Sequence, residues 1–93
     1  MVRHRVDLSE VEHLFLKKIP KPIVERIFLW VRRVEMNGLL ETRKIIGLHD
    51  EPLKGDRAGQ RSIRLNLAYR LFYIELPEDV IVVKVIEVNK HDH

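Results

Sequence analysis

The chain begins with polar and apolar residues in alternation and then changes to helical spacing. Residues 2–8 alternate imperfectly between apolar and polar side chains, which predicts a first strand. Ser9 and Glu12 form a capping box: the serine hydroxyl can accept from the Glu12 amide, and the Glu12 carboxylate from the Ser9 amide. Apolar residues then recur at helical spacing up to Ile19, which predicts a first helix.

A Pro-Lys-Pro step separates this helix from a second one. The helix ends at residues 20–22 because proline disfavours helical geometry in the residue before it. Pro22 suits the first turn of a second helix, whose apolar stripe runs up to the stop signal at Asn37 and Gly38. We expect the two helices to form an antiparallel hairpin, with one or two further turns over residues 39–46.

The second half of the chain has the period-two pattern of strands. The polar residues 48–59 predict a loop. Strands are predicted over residues 61–66, 69–76 and 80–88, with a turn between the last two. The resulting order β-α-α-β-β-β predicts an α+β fold, in which a helical hairpin packs on one face of a small, mostly antiparallel sheet.

Strand parity places cations on the open face of this sheet. We assume that Arg64 lies opposite Arg70, and Phe72 opposite Lys84, across three-residue turns. Ser62 then shares their face. The core face consists of Ile63, Leu65, Leu71, Tyr73, Ile81, Val83 and Val85. Two opposed arginines repel each other, which an anion bound between them would relieve; neutralisation by nearby carboxylates is the alternative.

Groups suited to acid–base chemistry on a phosphodiester surround this patch in the sequence. Glu51 precedes the patch in the loop, and the tail histidines His91 and His93 titrate near neutral pH. The cations Lys54, Arg64 and Arg70 could hold a phosphate and offset the charge that develops on it. Together they are a base, an acid and several cations, although a solvated Glu51 and ordinary surface histidines are the alternative.

Length and composition limit the other possibilities. With 93 residues, the chain is long enough for one domain, residues 1–93, and too short to enclose a large cofactor. It has no cysteine, its glycines fit no nucleotide-binding motif, and only two histidines lie close in sequence, so neither a cofactor nor a metal is expected. No apolar run approaches the roughly 18 residues of a membrane span, so we expect no membrane association and a cytoplasmic location. The net charge of +3 is mildly basic.

Residues 49–73 resemble a known family. The EPLKG run, the strand GQRSIRL and the strand YRLFY are similar to those of the RelE/HigB/YoeB toxins of bacterial type II toxin–antitoxin modules. Residues 87–93, EVNKHDH, resemble that family's closing strand and its K-H-D/E-Y tail. The resemblance extends over essentially the whole chain.

The resemblance implies a metal-independent mRNA interferase that cleaves mRNA in the ribosomal A site and is held in check by a cognate antitoxin. The 2′-hydroxyl would attack the adjacent phosphate and leave a 2′,3′-cyclic phosphate. By position, Glu51 matches the general base, Lys54 a basic residue of the same loop, and Arg64 and Arg70 the arginines that grip the phosphate. Either His91 or His93 would be the general acid, since His93 replaces the family's terminal tyrosine.

Further residues are predicted to bind substrate, and two other functions are alternatives. Substrate binding is predicted for Arg61, Ser62, Phe72 and Lys84, in addition to Lys54. A ParE-like toxin that poisons DNA gyrase, or a catalytically inactive module that binds RNA or protein, would need neither a base nor an acid.

Overall fold

A five-stranded sheet with one long helix packed against it forms the described part of the chain, residues 4–77 and 80–90, in a computed structural model. The strands are β1 (Arg5–Asp7), β2 (Glu51–Pro52), β3 (Gln60–Arg64), β4 (Tyr69–Glu75) and β5 (Ile81–Lys90), and the helices are α1 (Lys21–Asn37) and α2 (Leu39–Arg43). The sheet order is β1-β5-β4-β3-β2; β1 is parallel to β5, and the other neighbours are antiparallel. The predicted α+β class and the mostly antiparallel sheet are therefore confirmed.

Helix α1 supplies five of the thirteen buried hydrophobic residues of the core among the described residues. Its apolar stripe buries Trp30 and the aliphatic residues around it against the inner sides of β3, β4 and β5. Pro22 stands in its first turn, as predicted, and Gly38 ends it with a φ of 88° while donating its amide to the Val34 carbonyl at 2.9 Å. The further turns predicted after residue 38 are α2.

The predicted first helix is wrong. Between β1 and α1 there is only a single 3-10 turn, Glu12–Leu14, without a side-chain cap. The Ser9 amide, which the capping box would have used, donates instead to the Asp7 carboxylate at 2.8 Å. An Asp side chain two residues upstream offers this amide a local partner, and so competes with helix formation. Val11 and Ile19 are nevertheless buried, so the apolar positions were identified correctly.

The loop predicted over residues 48–59 contains a strand that the sequence did not indicate. The two residues of β2 pair Glu51 with Ser62 and Pro52 with Arg61, at the edge of the sheet where proline needs no ladder partner. This pairing fixes Glu51 beside the middle of β3.

The predicted register is half right. Arg64 lies opposite Arg70, as assumed. Phe72, however, lies opposite Glu87, three residues beyond Lys84, which lies opposite Ile74. Two of these three residues come from the register of the β4–β5 pair itself, and the third comes from the shift in the ladder after Phe72. The core face is confirmed for Ile63, Leu65, Leu71, Tyr73, Val83 and Val85, whereas Ile81 is 37% exposed at the start of β5.

No helix among residues 4–77 and 80–90 has both the length and the apolar character that crossing a membrane requires.

Candidate active site

Two arginines and a carboxylate belong to the face of the sheet opposite α1. Arg64, at the end of β3, and Arg70, at the start of β4, are direct cross-strand partners, so both side chains stand on the same face. Glu51 approaches from β2, and its Oε1 lies 3.7 Å from Arg70 Nη1. The side chains of Arg70 and Glu51 are 25% and 60% exposed, so both can be reached from solvent.

The arginines are only partly neutralised. The 3.7 Å contact between Glu51 and Arg70 is a long ion pair, and Arg64 forms no ion pair with any of the described residues. Opposed guanidinium groups repel each other across a strand pair, so an anion between them would be stabilised. The face is suited to a phosphate with a carboxylate beside it.

Next to the arginine pair lies a third arginine, which the sequence did not indicate. Arg57, in the turn after β2, lies over the Phe72 ring, with Cζ 4.0 Å from the ring centroid. Its Nε donates to Gln60 Oε1 at 2.8 Å and its Nη2 to Glu87 Oε1 at 3.0 Å. No local pattern marks Arg57, because its position depends on how the turn folds back over β3 and β4.

The substrate-binding roles predicted for Phe72 and Ser62 are both corrected by the structure. One face of the Phe72 ring is covered by the guanidinium, so a base cannot stack directly on that face. Ser62, in the same row between Glu51 and Phe72, is completely buried, so its hydroxyl cannot reach a substrate in this structure.

Arg61 also differs from the prediction, because it points to the other face of the sheet. Its Nε donates to Asp50 Oδ1 at 2.7 Å, and the Tyr73 hydroxyl donates to Asp50 Oδ2 at 2.5 Å. The Asp50 side chain is 1% exposed. Burial, and then the hydrogen bond to Asp50, raise the pKa of Tyr73 to about 12. The cluster stabilises the fold and is not open to a substrate.

The lysines lie apart from the arginine pair. Lys84 Nζ is 2.8 Å from Glu10 Oε1, and this hydrogen bond raises the pKa of Lys84. On β5, the residue opposite Arg70 is Asn89. Lys84 is five residues away from Asn89, about 16 Å along the strand. Lys54 is exposed between β2 and the turn that contains Arg57, and none of the ion pairs among the described residues involves it.

His91 and His93, the two candidates for the general acid, lie outside the described residues. In the remainder of the chain, no three His, Asp or Glu side chains gather in the way that metal ligands do.

Comparison with solved structures identifies the fold. The chain is similar to the YoeB/ParE toxin from Agrobacterium tumefaciens (22% identity, 95% of this chain and 99% of that one, TM-score 0.66). It is also similar to a chain of the YoeB–YefM complex from Staphylococcus aureus (22%, 98% and 100%, TM-score 0.67). A third similar structure is that of the toxin–antitoxin complex RelBE2 from Mycobacterium tuberculosis (26%, 97% and 100%, TM-score 0.56).

No protein-family model and no curated protein sequence matches the chain. The similarity to solved structures nevertheless covers nearly the whole length of this chain and of each similar chain. It confirms the resemblance seen in the sequence: the chain has the fold of the RelE/YoeB-like toxins of type II toxin–antitoxin modules.

Proposed function

We propose that this protein is the toxin of a type II toxin–antitoxin module and a metal-independent endonuclease that cleaves mRNA on the ribosome. The observation that carries the proposal is the opposed pair Arg64 and Arg70 with the Glu51 carboxylate 3.7 Å from Arg70. The similarity to toxin structures, two of them in complexes with antitoxins, supports the same class.

The proposed reaction uses the RNA's own 2′-hydroxyl. Glu51 takes the proton from this hydroxyl, the 2′-oxygen bonds to the adjacent phosphorus, and the bond from phosphorus to the 5′-oxygen breaks. Arg64 and Arg70 hold the non-bridging oxygens, where negative charge accumulates in the transition state. The leaving oxygen takes a proton from His91 or His93. The products are a 2′,3′-cyclic phosphate and a 5′-hydroxyl.

The proposed partners are mRNA in the ribosomal A site and a cognate antitoxin, with action in the cytoplasm. Exposed cations on and before α1 are suited to contact with ribosomal RNA, whose phosphates attract such groups independently of sequence. They are Lys17, Lys18, Lys21, Arg26, Arg32 and Arg33.

Expression of the chain alone tests this function, with Arg70→Ala as the variant. We expect growth and translation to stop, and primer extension on mRNA from the arrested cells to show new 5′ ends within coding regions. Arg70→Ala should lose about 10²–10³-fold in activity, because one charge-stabilising group is removed. Lys84→Ala is the matched control: it also removes a cation paired with a carboxylate, and should remain toxic.

Two results would contradict the proposal. Intact mRNA together with double-strand DNA breaks would indicate gyrase poisoning. A folded Arg70→Ala protein that is fully toxic, with unchanged circular dichroism, would remove Arg70 from the site.

A further inference from the structure

The guanidinium of Arg57 lies over an aromatic ring and is hydrogen-bonded at its edge. The ring of Phe72 supports one side at 4.0 Å. Gln60 and Glu87 each accept one hydrogen bond at its edge, at 2.8 and 3.0 Å. Asn89 Nδ2 in turn donates to the second oxygen of Glu87 at 2.9 Å, so the carboxylate is itself held in place. This network fixes both the position and the plane of the guanidinium.

The positive charge of Arg57 is already paired with a carboxylate. Its Nη2 lies on the Glu87 carboxylate, and a phosphate approaching that edge would also meet the negative charge of Glu87. Arg57 is therefore poorly suited to be a phosphate ligand, unlike Arg64. What remains available is its outer face, since 38% of the side chain is exposed while the inner side lies on Phe72.

This face adjoins the arginine pair. Phe72 is two residues from Arg70 along β4, about 7 Å, and on the same side of the sheet. Asn89 links the two rows, because it lies opposite Arg70 and donates to Glu87. A nucleotide next to a phosphate held by Arg64 and Arg70 would have its base near Arg57.

We propose that the outer face of the Arg57 guanidinium is a stacking site for one nucleobase of the bound RNA. Flat guanidinium groups stack on unpaired bases in the same way as aromatic rings do. The network to Gln60 and Glu87 orders the group before RNA binds, so little side-chain freedom is lost on stacking. The proposal rests on the proposed function, because it needs RNA at this face, and it moves the substrate-binding role predicted for Phe72 to Arg57, which lies over its ring.

The test separates binding from cleavage. The probe is a single-stranded RNA hexamer with 2′-O-methyl riboses, which lacks the attacking hydroxyl, together with six versions that each lack one base. Nitrogen-15 NMR follows the Arg57 Nε–Hε resonance during titration. We expect the intact RNA to shift Hε upfield through the base's ring current. One abasic version should lose this shift and bind about fivefold or more weakly, the size of one stacked base.

Matched variants test whether the difference between intact and abasic RNA depends on the planar guanidinium of Arg57. Arg57→Lys keeps the charge but not the plane, and should make the intact and abasic RNAs bind equally. Arg43→Lys changes another arginine paired with a glutamate, Glu75, and should preserve the difference.

The outcomes distinguish the two proposals. If the hexamer binds, Arg64→Ala weakens it, and no abasic version differs from the intact RNA, the stacking site is wrong and the nuclease proposal stands. A base that displaces Arg57 and shifts the Phe72 ring protons instead would also overturn it. Absence of binding at millimolar RNA would overturn the stacking site alone, because the nuclease proposal is tested separately by cleavage of mRNA on the ribosome.

Discussion

At the scale of single residues, Asp50 determines the roles of two neighbours. Its buried carboxylate accepts from Arg61 and from the Tyr73 hydroxyl, which removes Arg61 from the set of available cations. The sequence could suggest that an arginine beside Ser62 binds substrate, but not that a carboxylate eleven positions earlier folds onto it. Arg64 and Arg70 could be predicted because they stand at the facing ends of two clearly alternating strands.

The Tyr73 hydroxyl should make stability depend on pH in the alkaline range. The pKa of Tyr73 is raised from 10.0 to about 12 in the folded protein. Between these values the folded state therefore binds more protons than the unfolded state, so stability is complete below pH 10 and falls as pH rises toward 12.

The parent protein should lose about 2–3 kcal/mol of its free energy of unfolding between pH 10 and pH 12 through Tyr73, and Tyr73→Phe should not show this loss. Urea unfolding of the parent and of Tyr73→Phe at a series of pH values in this range measures the difference. Tyr69→Phe, which changes the other tyrosine, should behave like the parent. An identical pH dependence for Tyr73→Phe and the parent would show that the hydroxyl is not buried on Asp50.

At the scale of elements, long and regular patterns were predicted well and short ones were not. The apolar stripe of α1 extends over several turns, and the alternation of β4 and β5 extends over several residues. In each case the local pattern and the packing against the core favour the same secondary structure. The two residues of β2 have no pattern of their own and form a strand only because β3 offers a free edge. The register of β5 on β4 and the ladder shift after Phe72 likewise depend on packing, and together they place Glu87 where Lys84 was expected.

Gly38 sets the angle between α1 and α2. Its φ of 88° and ψ of 157° lie in a region that is essentially restricted to glycine. Gly38→Ala should therefore destabilise the protein by about 1–3 kcal/mol, although an added methyl would meet no atom within 4 Å.

Gly47→Ala is the matched control, because Gly47 also has open space around its Cα but no positive φ. It should leave stability unchanged or raise it by about 0.4–1 kcal/mol. Thermal unfolding of the two variants compares them directly, and equal effects would show that the backbone at Gly38 is unstrained.

At the scale of the whole molecule, the fold brings together groups that are distant in sequence. Glu51, Arg64 and Arg70 come from three strands, and the order β4-β3-β2 places them on one face. Their types and approximate positions could be predicted from alternation and from the family resemblance. The position of Arg57 over Phe72 could not be predicted from the sequence, because the Arg57 side chain crosses two strands to reach the ring.

The most direct test of the nuclease assignment is the chemistry of the RNA ends produced on ribosomes that hold a defined mRNA. We expect purified protein to leave a 2′,3′-cyclic phosphate and a 5′-hydroxyl. Cleavage should stop when the attacking ribose bears a 2′-O-methyl group, and Glu51→Gln should be slower by about 10²–10⁴-fold. Ends with a 3′-hydroxyl and a 5′-phosphate, or cleavage that survives the 2′-O-methyl group, would contradict attack by the 2′-hydroxyl with Glu51 as the base.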